Sequence, residues 1–358
     1  MAKTNAPGRI CAVMQHHYML VDTDPVYRSN RRRIEIDTHT ARLAARINVL
    51  TIPVVVHVIY HTDAEDLPEE QIHAQIDALN RDYRLMNSDK SDIPSAFQER
   101  AADTMIEFKL AVRDPQGSAT TGITRTHTSK TVFPYSDTDP RATQKLDKLI
   151  KHDEFGKAAW PRDSYLNLWT CSINGGLLGY AQFPGGPAAT DGVVILNTAF
   201  GTGGIARPPF DLGRTAVHEV GHWLNLLHIW GDDRGGCQGS DNVDDTPNQA
   251  GPNSGPSITK DSFPHVTCNN APNGDMFMNY MDYVDDKVMV MFSKGQLQRM
   301  NATLAGPRAS LANSQGLVPL VTEPLASLAG ERGFAELGNE SGTRPTLVFD
   351  GVSWVPAN

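Results

Sequence analysis

The residues between 215 and 230 have the composition and spacing of a hydrolytic metal centre. The segment reads TAVHEVGHWLNLLHIW, so His218 and His222 lie four residues apart and project from one face of a helix. His228 follows ten residues after His218, beyond the reach of that face. Two imidazoles on one helix and a third after a turn can hold Zn²⁺ and leave its fourth position open for water. Glu219 is then placed to act as the general base for that water.

The short HExxH motif also occurs on surface helices that carry two solvated histidines, so it does not suffice by itself. His228 extends it to the long metzincin pattern H-E-x-x-H-x-x-G-x-x-H, with Asn225 standing where glycine is usual. That glycine ends the helix in a left-handed conformation, and Asn is the non-glycine residue that best tolerates positive φ. The long motif therefore predicts a zinc peptidase.

A second segment, residues 275–283, reads DMFMNYMDY. Metzincins carry a methionine-containing turn downstream of the zinc helix, where it forms an apolar floor beneath the three imidazoles. Met281 is the candidate for this Met-turn, and Tyr283 two residues later is placed to stabilise an oxyanion. Met276 and Met278 fit ordinary core positions, and Met281 would fit one too without its pairing with Tyr283.

These motifs identify a resemblance to the pappalysin family of metzincins, in its ulilysin-like microbial branch. The resemblance covers roughly residues 50–300, which is most of the chain. It implies a secreted zinc endopeptidase that acts on proteins and peptides. The matching stretches are IPVVVHVIYHT (52–62), TGITRT (121–126), LNLWTCSINGGLLGYAQFP (166–184), DGVVILNTAFG (191–201), the zinc helix, GGCQGSDNVDDTPN (235–248) and MNYMDYVDD.

The implied fold is a mixed α/β metzincin. An upper part, about 47–224, contains a twisted mixed sheet with helices and the zinc helix. A lower irregular part, about 225–305, carries the third ligand and the Met-turn. Residues 1–46 are predicted to be a prosegment before a catalytic domain over 47–305. No role is assigned to a C-terminal extension over 306–358.

Apolar patterns predict most of the regular elements of the catalytic domain. Helical spacing favours a helix where apolar residues recur every three or four positions, and continuous or alternating apolar runs favour strands. Asp211 is interpreted as the N-cap of the zinc helix. The predicted strands are 51–60, 105–113, 165–173, 178–183 (an edge strand) and 191–198; the predicted helices are 68–86, 142–152 and 292–304; a late strand-like run reads TLVFDGVSW.

Cys11 lies in the segment RICAVM, which is similar to the RCGTM-like element of relatives. In those relatives the thiolate occupies the open zinc position and keeps the zymogen inactive, and thiolate is a strong zinc ligand. The neighbours on both sides of Cys11 depart from the element, so a spectator cysteine is an equal alternative. If the enzyme cuts before basic residues, autolysis is expected between Ala45 and Arg46.

On the residues alone, the scattered cysteines of a large chain are more often buried thiols than bridges. The family resemblance implies instead that Cys237 and Cys268 form a disulfide across a Gly-, Pro- and Asn-rich loop.

The same loop carries the family pattern C-x3-D-x-V-x-D-T-P, where relatives bind structural calcium. The resemblance places calcium ligands at Asp241, Val243 and Thr246, whose oxygen donors suit Ca²⁺. The alternative interpretation is a solvated acidic loop.

Relatives in this branch favour Arg or Lys just after the cleaved bond, a preference attributed to an acidic residue after the Met-turn. Asp285 and Asp286 lie in that stretch, and Lys287 follows them and could neutralise the pocket. A preference for basic residues at this substrate position is therefore a hypothesis.

Composition narrows the function classes. The chain has 358 residues and a formal net charge of −9, which argues against a nucleic-acid-binding protein. No apolar run reaches the length of a transmembrane span, and no signal peptide is visible at the N-terminus. Secretion is therefore expected from the resemblance alone.

Two rival hypotheses remain at this stage. One is a catalytically silent zinc- or calcium-binding or adhesion domain, against which the intact Glu219 and Tyr283 argue. The other is a zinc hydrolase of the gluzincin type, whose third ligand would be a downstream glutamate rather than His228.

Overall fold

The structure is a computed structural model that describes residues 8–41, 48–233 and 235–320 in full, together with the backbone of residues 347–349 and 354–356. The chain forms two compact units, Met1–Leu320 and Val321–Asn358. The predicted cleavage position between Ala45 and Arg46 lies outside the described residues. Among the described residues, every helix falls short of the length and apolar character needed to cross a bilayer.

The sheet of the first unit is organised around strand β1, Leu50–Tyr60, whose residues are nearly all buried. Val54 and Val56 pack in the largest core cluster, whereas Val55 and Ile59 pack in separate clusters. Because successive side chains of a strand point to opposite faces, both faces of this sheet are covered. A doubly covered strand reads as a continuous apolar run, which is why its sequence pattern predicts it well.

Five further strands complete a mixed sheet. These are β2 Ile106–Leu110, β3 Ile123–His127, β4 Leu166–Cys171, β5 Gly179–Ala181 and β6 Val193–Leu196. The order is β2-β1-β4-β6-β5, and β3 continues the position of β2 along the same side of β1. All neighbours are parallel except β5, which runs antiparallel to β6 at the edge. The predicted mixed α/β class is confirmed, although the sequence pattern missed the short, partly exposed β3.

Helices cover both faces of the sheet. The helices are α1 Val13–Thr23, α2 Pro25–Thr40, α3 Glu69–Tyr83, α4 Ser95–Gln98, α5 Ala142–Ile150, α6 Arg214–Trp223 and α7 Lys294–Ala305. Helices α3 and α6 pack against each other and share the core cluster that contains Val54. Leu146 and Ile150 of α5 pack with Ile59 on the opposite face. The predicted helices over 68–86, 142–152 and 292–304 correspond to α3, α5 and α7. The structure starts α3 one residue later and ends it three earlier, ends α5 two residues earlier, and shifts α7 to start two residues later and end one later.

The N-terminal segment contains two helices that the sequence analysis did not predict. Asp24 separates them, and its carboxylate accepts hydrogen bonds from the backbone N–H groups of Val26 and Tyr27. Pro25 occupies the first position of α2, as is common at helix starts. The Asp-Pro pair was therefore a sequence signal for the start of α2. Because α2 is largely polar, its apolar pattern did not predict a helix.

The zinc helix α6 begins at Arg214 and has Gly213 as its N-cap, so the interpretation of Asp211 as the N-cap was wrong. Gly213 has φ of 76°, a left-handed conformation that favours glycine. A residue distant in sequence caps this end of the helix. Asp286 Oδ2 accepts hydrogen bonds from the backbone nitrogen of Leu212, just before the helix, at 2.9 Å and from that of Arg214, its first residue, at 3.3 Å. A carboxylate at this end also complements the helix dipole.

The C-terminal end of α6 is held by Arg308, which follows α7, and by Asp191, which precedes β6. The Arg308 guanidinium lies 3.7 Å from the ring centroid of Trp223 and pairs with both carboxylate oxygens of Asp191. The Trp223 indole N–H donates to the same carboxylate at 2.7 Å. The start of the predicted extension thus contacts the zinc helix, and the boundary at 305 stays a prediction.

The region between α6 and α7 is largely irregular. Cys237 and Cys268 are joined by a disulfide with a Cα–Cα distance of 5.3 Å. Helix α7 begins after a capping box in which Ser293 and Gln296 exchange side-chain and backbone hydrogen bonds. In the second unit, the strand-like run near the C-terminus contains an antiparallel pair, β7 Leu347–Phe349 and β8 Trp354–Pro356.

Candidate active site

Three buried imidazoles converge where α6, its following turn and the Met-turn meet. The Nε2 atom of His222 lies 3.1 Å from the Nε2 atoms of both His218 and His228. Each Nδ1 atom has its own acceptor at 2.7 Å. The acceptors are the Tyr280 carbonyl for His218, the Leu226 carbonyl for His222 and the Asp232 carboxylate for His228.

The two carbonyl contacts determine which nitrogen of His218 and of His222 carries the proton. A backbone carbonyl accepts but never donates, so Nδ1 of His218 and of His222 must carry the hydrogen. Their Nε2 atoms then present lone pairs, and two lone pairs 3.1 Å apart cannot form a hydrogen bond with each other. Burial and the neighbouring imidazoles lower the pKa of both rings far below the usual value, which keeps them neutral. Convergent neutral Nε2 lone pairs are a donor set that fits Zn²⁺.

The Cys11 thiol completes the cluster. Its Sγ and one nitrogen from each of the three histidines all lie within 4.8 Å of one another. Burial, followed by the Glu219 carboxylate, raises the pKa of this thiol, so a thiolate here needs a neighbouring cation. The donors N, N, N and S suit a tetrahedral zinc ion.

Glu219 lies directly beside the cluster. Its Oε2 atom is 3.5 Å from Cys11 Sγ, and burial raises the pKa of its carboxyl group to about 8. Gly179 on β5 makes room for it, since a Cβ there would lie 3.1 Å from Glu219 Oε1 and 2.8 Å from the Val194 carbonyl oxygen. A carboxyl group with a raised pKa can both accept and return a proton near neutral pH.

Met281 is fully buried beneath the zinc helix. A Cβ atom placed on Gly221 would lie 2.5 Å from the Met281 sulfur, so any side chain at that position would displace Met281. The adjacent Tyr280 supplies the carbonyl that orients His218. The Met-turn therefore contacts both the backbone of α6 and one imidazole.

Tyr283 borders the same site. Its ring packs edge to face against His228, with centroids 5.0 Å apart, and its hydroxyl donates to the carbonyl oxygen of Cys11 at 3.3 Å. That carbonyl is a main-chain group beside the histidine cluster, as the carbonyl of a peptide substrate would be.

The N-terminal segment crosses the cluster as an extended chain. The Leu178 N–H donates to the Ile10 carbonyl and the Ala12 N–H donates to the Gly179 carbonyl, which adds Cys11 in parallel to the β5 edge. An exposed sheet edge recognises extended peptides through such main-chain bonds. In this structure the edge next to the cluster is already paired.

Arg9 forms a buried ion pair with Asp286, with 2.6 Å between Nη2 and Oδ1. Of the two candidate specificity residues, Asp286 is therefore the one that binds a guanidinium. Asp285 lies beside it at the start of the short 3-10 helix Asp286–Val288, and burial raises the pKa of its carboxyl group. The Lys287 side chain is exposed, whereas Asp286 is fully buried.

Helix α2 provides a second contact with the zinc motif. The Arg31 guanidinium donates to the Asn225 side-chain oxygen at 2.7 Å and lies 4.8 Å from the ring of Phe183. Asn225 has φ of 76°, the left-handed conformation expected at this position. Arg299 of α7 donates to the Asn225 carbonyl, and Glu35 bridges Arg31 and Arg299.

The candidate calcium ligands also lie together. The Thr246 hydroxyl is within 3.0 Å of both carboxylate oxygens of Asp241 and of the Val243 carbonyl oxygen. One hydroxyl hydrogen cannot satisfy three acceptors, so several oxygen lone pairs face the same space. Burial raises the pKa of Asp241 to about 7, because it disfavours the charged carboxylate.

Several residues of this site carried no usable sequence signal. Arg9, Arg31 and Glu35 are charged residues in a polar segment, and nothing in their spacing singles them out. Gly221 lies inside the HExxH motif at a position where any residue is allowed. Gly179 was included only as part of an edge strand.

The chain matches known proteins over the region that contains this site. Residues 150–305 match the peptidase family described as pregnancy-associated plasma protein-A. An extracellular metalloprotease of Pyricularia oryzae is 34% identical over 278 residues, which is 75% of this chain and 79% of the relative. An extracellular metalloprotease of Arthroderma benhamiae is 40% identical over 195 residues, 52% of this chain and 64% of the relative.

Two solved structures are also similar. A promirolysin mutant from Tannerella forsythia is 42% identical, has a TM-score of 0.75, and the match covers 85% of this chain and 98% of that chain. Mature mirolysin from the same organism, in complex with a cleaved peptide, is 46% identical with a TM-score of 0.68 over 75% of this chain and 98% of that chain. Together with the histidine cluster, these likenesses show that the chain belongs to the pappalysin family of zinc metallopeptidases.

Proposed function

We propose that this protein is a latent endopeptidase in which His218, His222 and His228 hold the catalytic zinc. The convergence of their Nε2 atoms, with every Nδ1 atom engaged elsewhere, is the observation that supports this assignment most strongly. When bound, the zinc ion supplies Lewis-acid polarisation of the scissile carbonyl group. The gluzincin alternative needs a glutamate ligand, whereas here the fourth donor beside the histidines is Cys11.

The protein's own groups carry the proton transfers. Glu219 accepts a proton from the attacking water and returns it to the leaving amine, a role supported by its position and by its raised pKa. Tyr283 donates a hydrogen bond to the oxyanion, a role supported by its present bond to the Cys11 carbonyl. Met281 supports the site from below through its packing against Gly221.

The N-terminal residues 1–46 act as an inhibitory prosegment in front of a catalytic domain over 47–305. Three groups proposed for catalysis or substrate binding already have partners in residues 9–11. Cys11 offers its thiol to the metal and hydrogen-bonds Glu219, its carbonyl accepts from Tyr283, and Arg9 neutralises Asp286. The resemblance to promirolysin supports this assignment.

Arg9 also indicates the substrate preference. A guanidinium reaches Asp286 from the backbone that crosses the cluster, so a substrate Arg or Lys side chain could make the same ion pair once the prosegment leaves. We therefore assign Asp286, rather than Asp285, as the residue that selects basic side chains just after the cleaved bond.

A structural calcium ion fits the oxygens of Asp241, Val243 and Thr246. The crowding of acceptors around the Thr246 hydroxyl and the raised pKa of Asp241 support it.

We also propose an extracellular location. Two relatives are described as extracellular metalloproteases, and disulfides such as Cys237–Cys268 persist in oxidising compartments.

Replacing Glu219 is expected to separate catalysis from metal binding. Glu219→Ala should retain zinc and lose peptide cleavage by about 10²–10⁴-fold, the range typical of a lost general base. His228→Ala should lose both. Zinc content by elemental analysis and cleavage of an unfolded protein provide the measurements, with the exposed Glu154→Ala as the control. Undiminished cleavage by Glu219→Ala would rule out its proposed role.

Latency is expected to depend on two separate contacts of the prosegment. Cys11→Ser should release only part of the activity of the uncleaved chain, because the Arg9–Asp286 ion pair and the β5 edge contacts persist. Adding Arg9→Ala should release more. Initial rates on a quenched peptide, with mass spectrometry to verify an intact chain, test this. The exposed Arg32→Ala on α2 is the control, and full activity of Cys11→Ser alone contradicts the proposal.

Asp286→Asn is expected to abolish selection of basic residues in the activated enzyme. The kcat/KM ratio for matched peptides with Arg or Leu after the cleaved bond should fall by at least about tenfold, because a buried charge partner is lost. Asp285→Asn should leave the ratio unchanged. Comparable cleavage of both peptides by the unaltered enzyme would disprove the preference.

Calcium is expected to raise the melting temperature more at pH 8 than at pH 5. The pKa of Asp241 is raised to about 7, so its contribution to stability is present at low pH and is lost as the pH rises through 7. At pH 5 the proton competes with calcium, whereas at pH 8 calcium neutralises the buried carboxylate. Thermal scans with and without calcium measure this, with Asp241→Asn as the control. Equal calcium shifts at both pH values would count against the site.

A further inference from the structure

One histidine of the cluster has a partner of a different kind. His218 and His222 each donate their Nδ1 hydrogen to a neutral backbone carbonyl, whereas His228 donates to the Asp232 carboxylate at 2.7 Å. We propose that Asp232 is a positioning residue of the metal centre, which fixes the orientation and tautomer of His228 and strengthens its binding of the metal. This inference rests on the proposed function, since it takes the three histidines as metal ligands.

The chain makes a specific turn to bring Asp232 to His228. The two residues are four apart but lie beyond α6, so the contact is not an ordinary helical one. Gly231 and Asp232 both have left-handed backbones, with φ of 72° and 56°. A Cβ on Gly231 would lie 2.4 Å from the backbone nitrogen of Ser240, so only glycine fits there. A non-glycine residue keeps this conformation when the surrounding structure holds it, and such residues cluster at functional sites.

The other contacts of His228 leave the orientation of its ring within the ring plane undetermined, and Asp232 determines it. Trp230 stacks face to face on the imidazole, with centroids 4.3 Å apart and planes 8° apart, and Tyr283 packs against it edge to face. These aromatic contacts fix the plane of the ring, but they still allow the ring to flip about its Cβ–Cγ bond. A carboxylate on Nδ1 selects the orientation that directs Nε2 at the other two histidines.

The charge of Asp232 has a second effect. A carboxylate that accepts the Nδ1 hydrogen makes the opposite nitrogen more basic and so a better ligand, and losing such a partner typically costs about 10–100-fold in metal affinity. The two carbonyl acceptors orient their rings but carry no net charge. Asp232 is therefore expected to contribute more to metal affinity than either carbonyl.

The test is zinc affinity of the full-length chain, measured by competition with a chromophoric chelator. Asp232→Ala should weaken zinc binding by about 10–100-fold, and Asp232→Asn, which still accepts the Nδ1 hydrogen but has no charge, should weaken it less. Asp233→Asn is the matched control in the same turn, because that carboxylate accepts from the backbone nitrogens of Gln238 and Gly239 rather than from a histidine. Its zinc affinity should stay within about twofold of the unaltered chain, well below the loss of about 10–100-fold expected for a lost ligand partner.

A second measurement distinguishes a metal role from a purely structural one. The visible absorption of the Co²⁺-loaded chain should change in Asp232→Ala and not in Asp233→Asn, because it reports the geometry of the ligands. Unchanged zinc affinity in Asp232→Ala, with a loss of stability in urea for the metal-free chain, would overturn the inference and make Asp232 a turn residue only. Failure of the unaltered chain to bind zinc would instead overturn the proposed function.

Discussion

Three imidazole rings with their Nε2 atoms directed at one point form an arrangement that the surrounding structure must hold together. Each ring is fixed through its Nδ1 atom by a different segment: the Met-turn through the Tyr280 carbonyl, the end of the zinc motif through the Leu226 carbonyl, and the following turn through Asp232. The geometry of the site therefore depends on these three segments meeting around helix α6. A cation at the point of convergence would stabilise their association.

Helix α6 is held at both ends and along its length. Asp286 accepts from backbone nitrogens at its N-terminal end, and Arg308 packs on Trp223 at the other. Between them, the contact of Gly221 with Met281 leaves no space for a side chain. The sheet adds a third constraint, because Gly179 at the β5 edge lies against Glu219. A helix restrained in this way can keep its side chains within the small tolerances that metal coordination and catalysis demand.

Residues 9–11 contact the groups proposed for catalysis rather than a separate surface. Residues 9–11 pair with Asp286, Tyr283 and Glu219, and Cys11 extends the β5 edge of the sheet. Arg31 on α2 reaches Asn225 within the zinc motif itself. Because the contacts at residues 9–11 and those on α2 are separate, the proposed prosegment would combine a chemical block of the metal with a steric block of the cleft.

The sequence by itself determined the features that depend on local spacing. A four-residue interval places His218 and His222 on one helical face, a doubly buried strand reads as the apolar run of β1, and helical periodicity indicates α3. The long motif also identified Asn225 as a residue in left-handed conformation, as its φ of 76° confirms. Tertiary structure alone decided which distant groups meet. It paired Asp286, not Asp285, with Arg9 across 277 positions, started α6 at Arg214 rather than at Asp211, and joined Arg31 to Asn225 and Gly221 to Met281. The physical reason is that periodicity determines which face a side chain occupies, whereas its partner depends on how the elements pack.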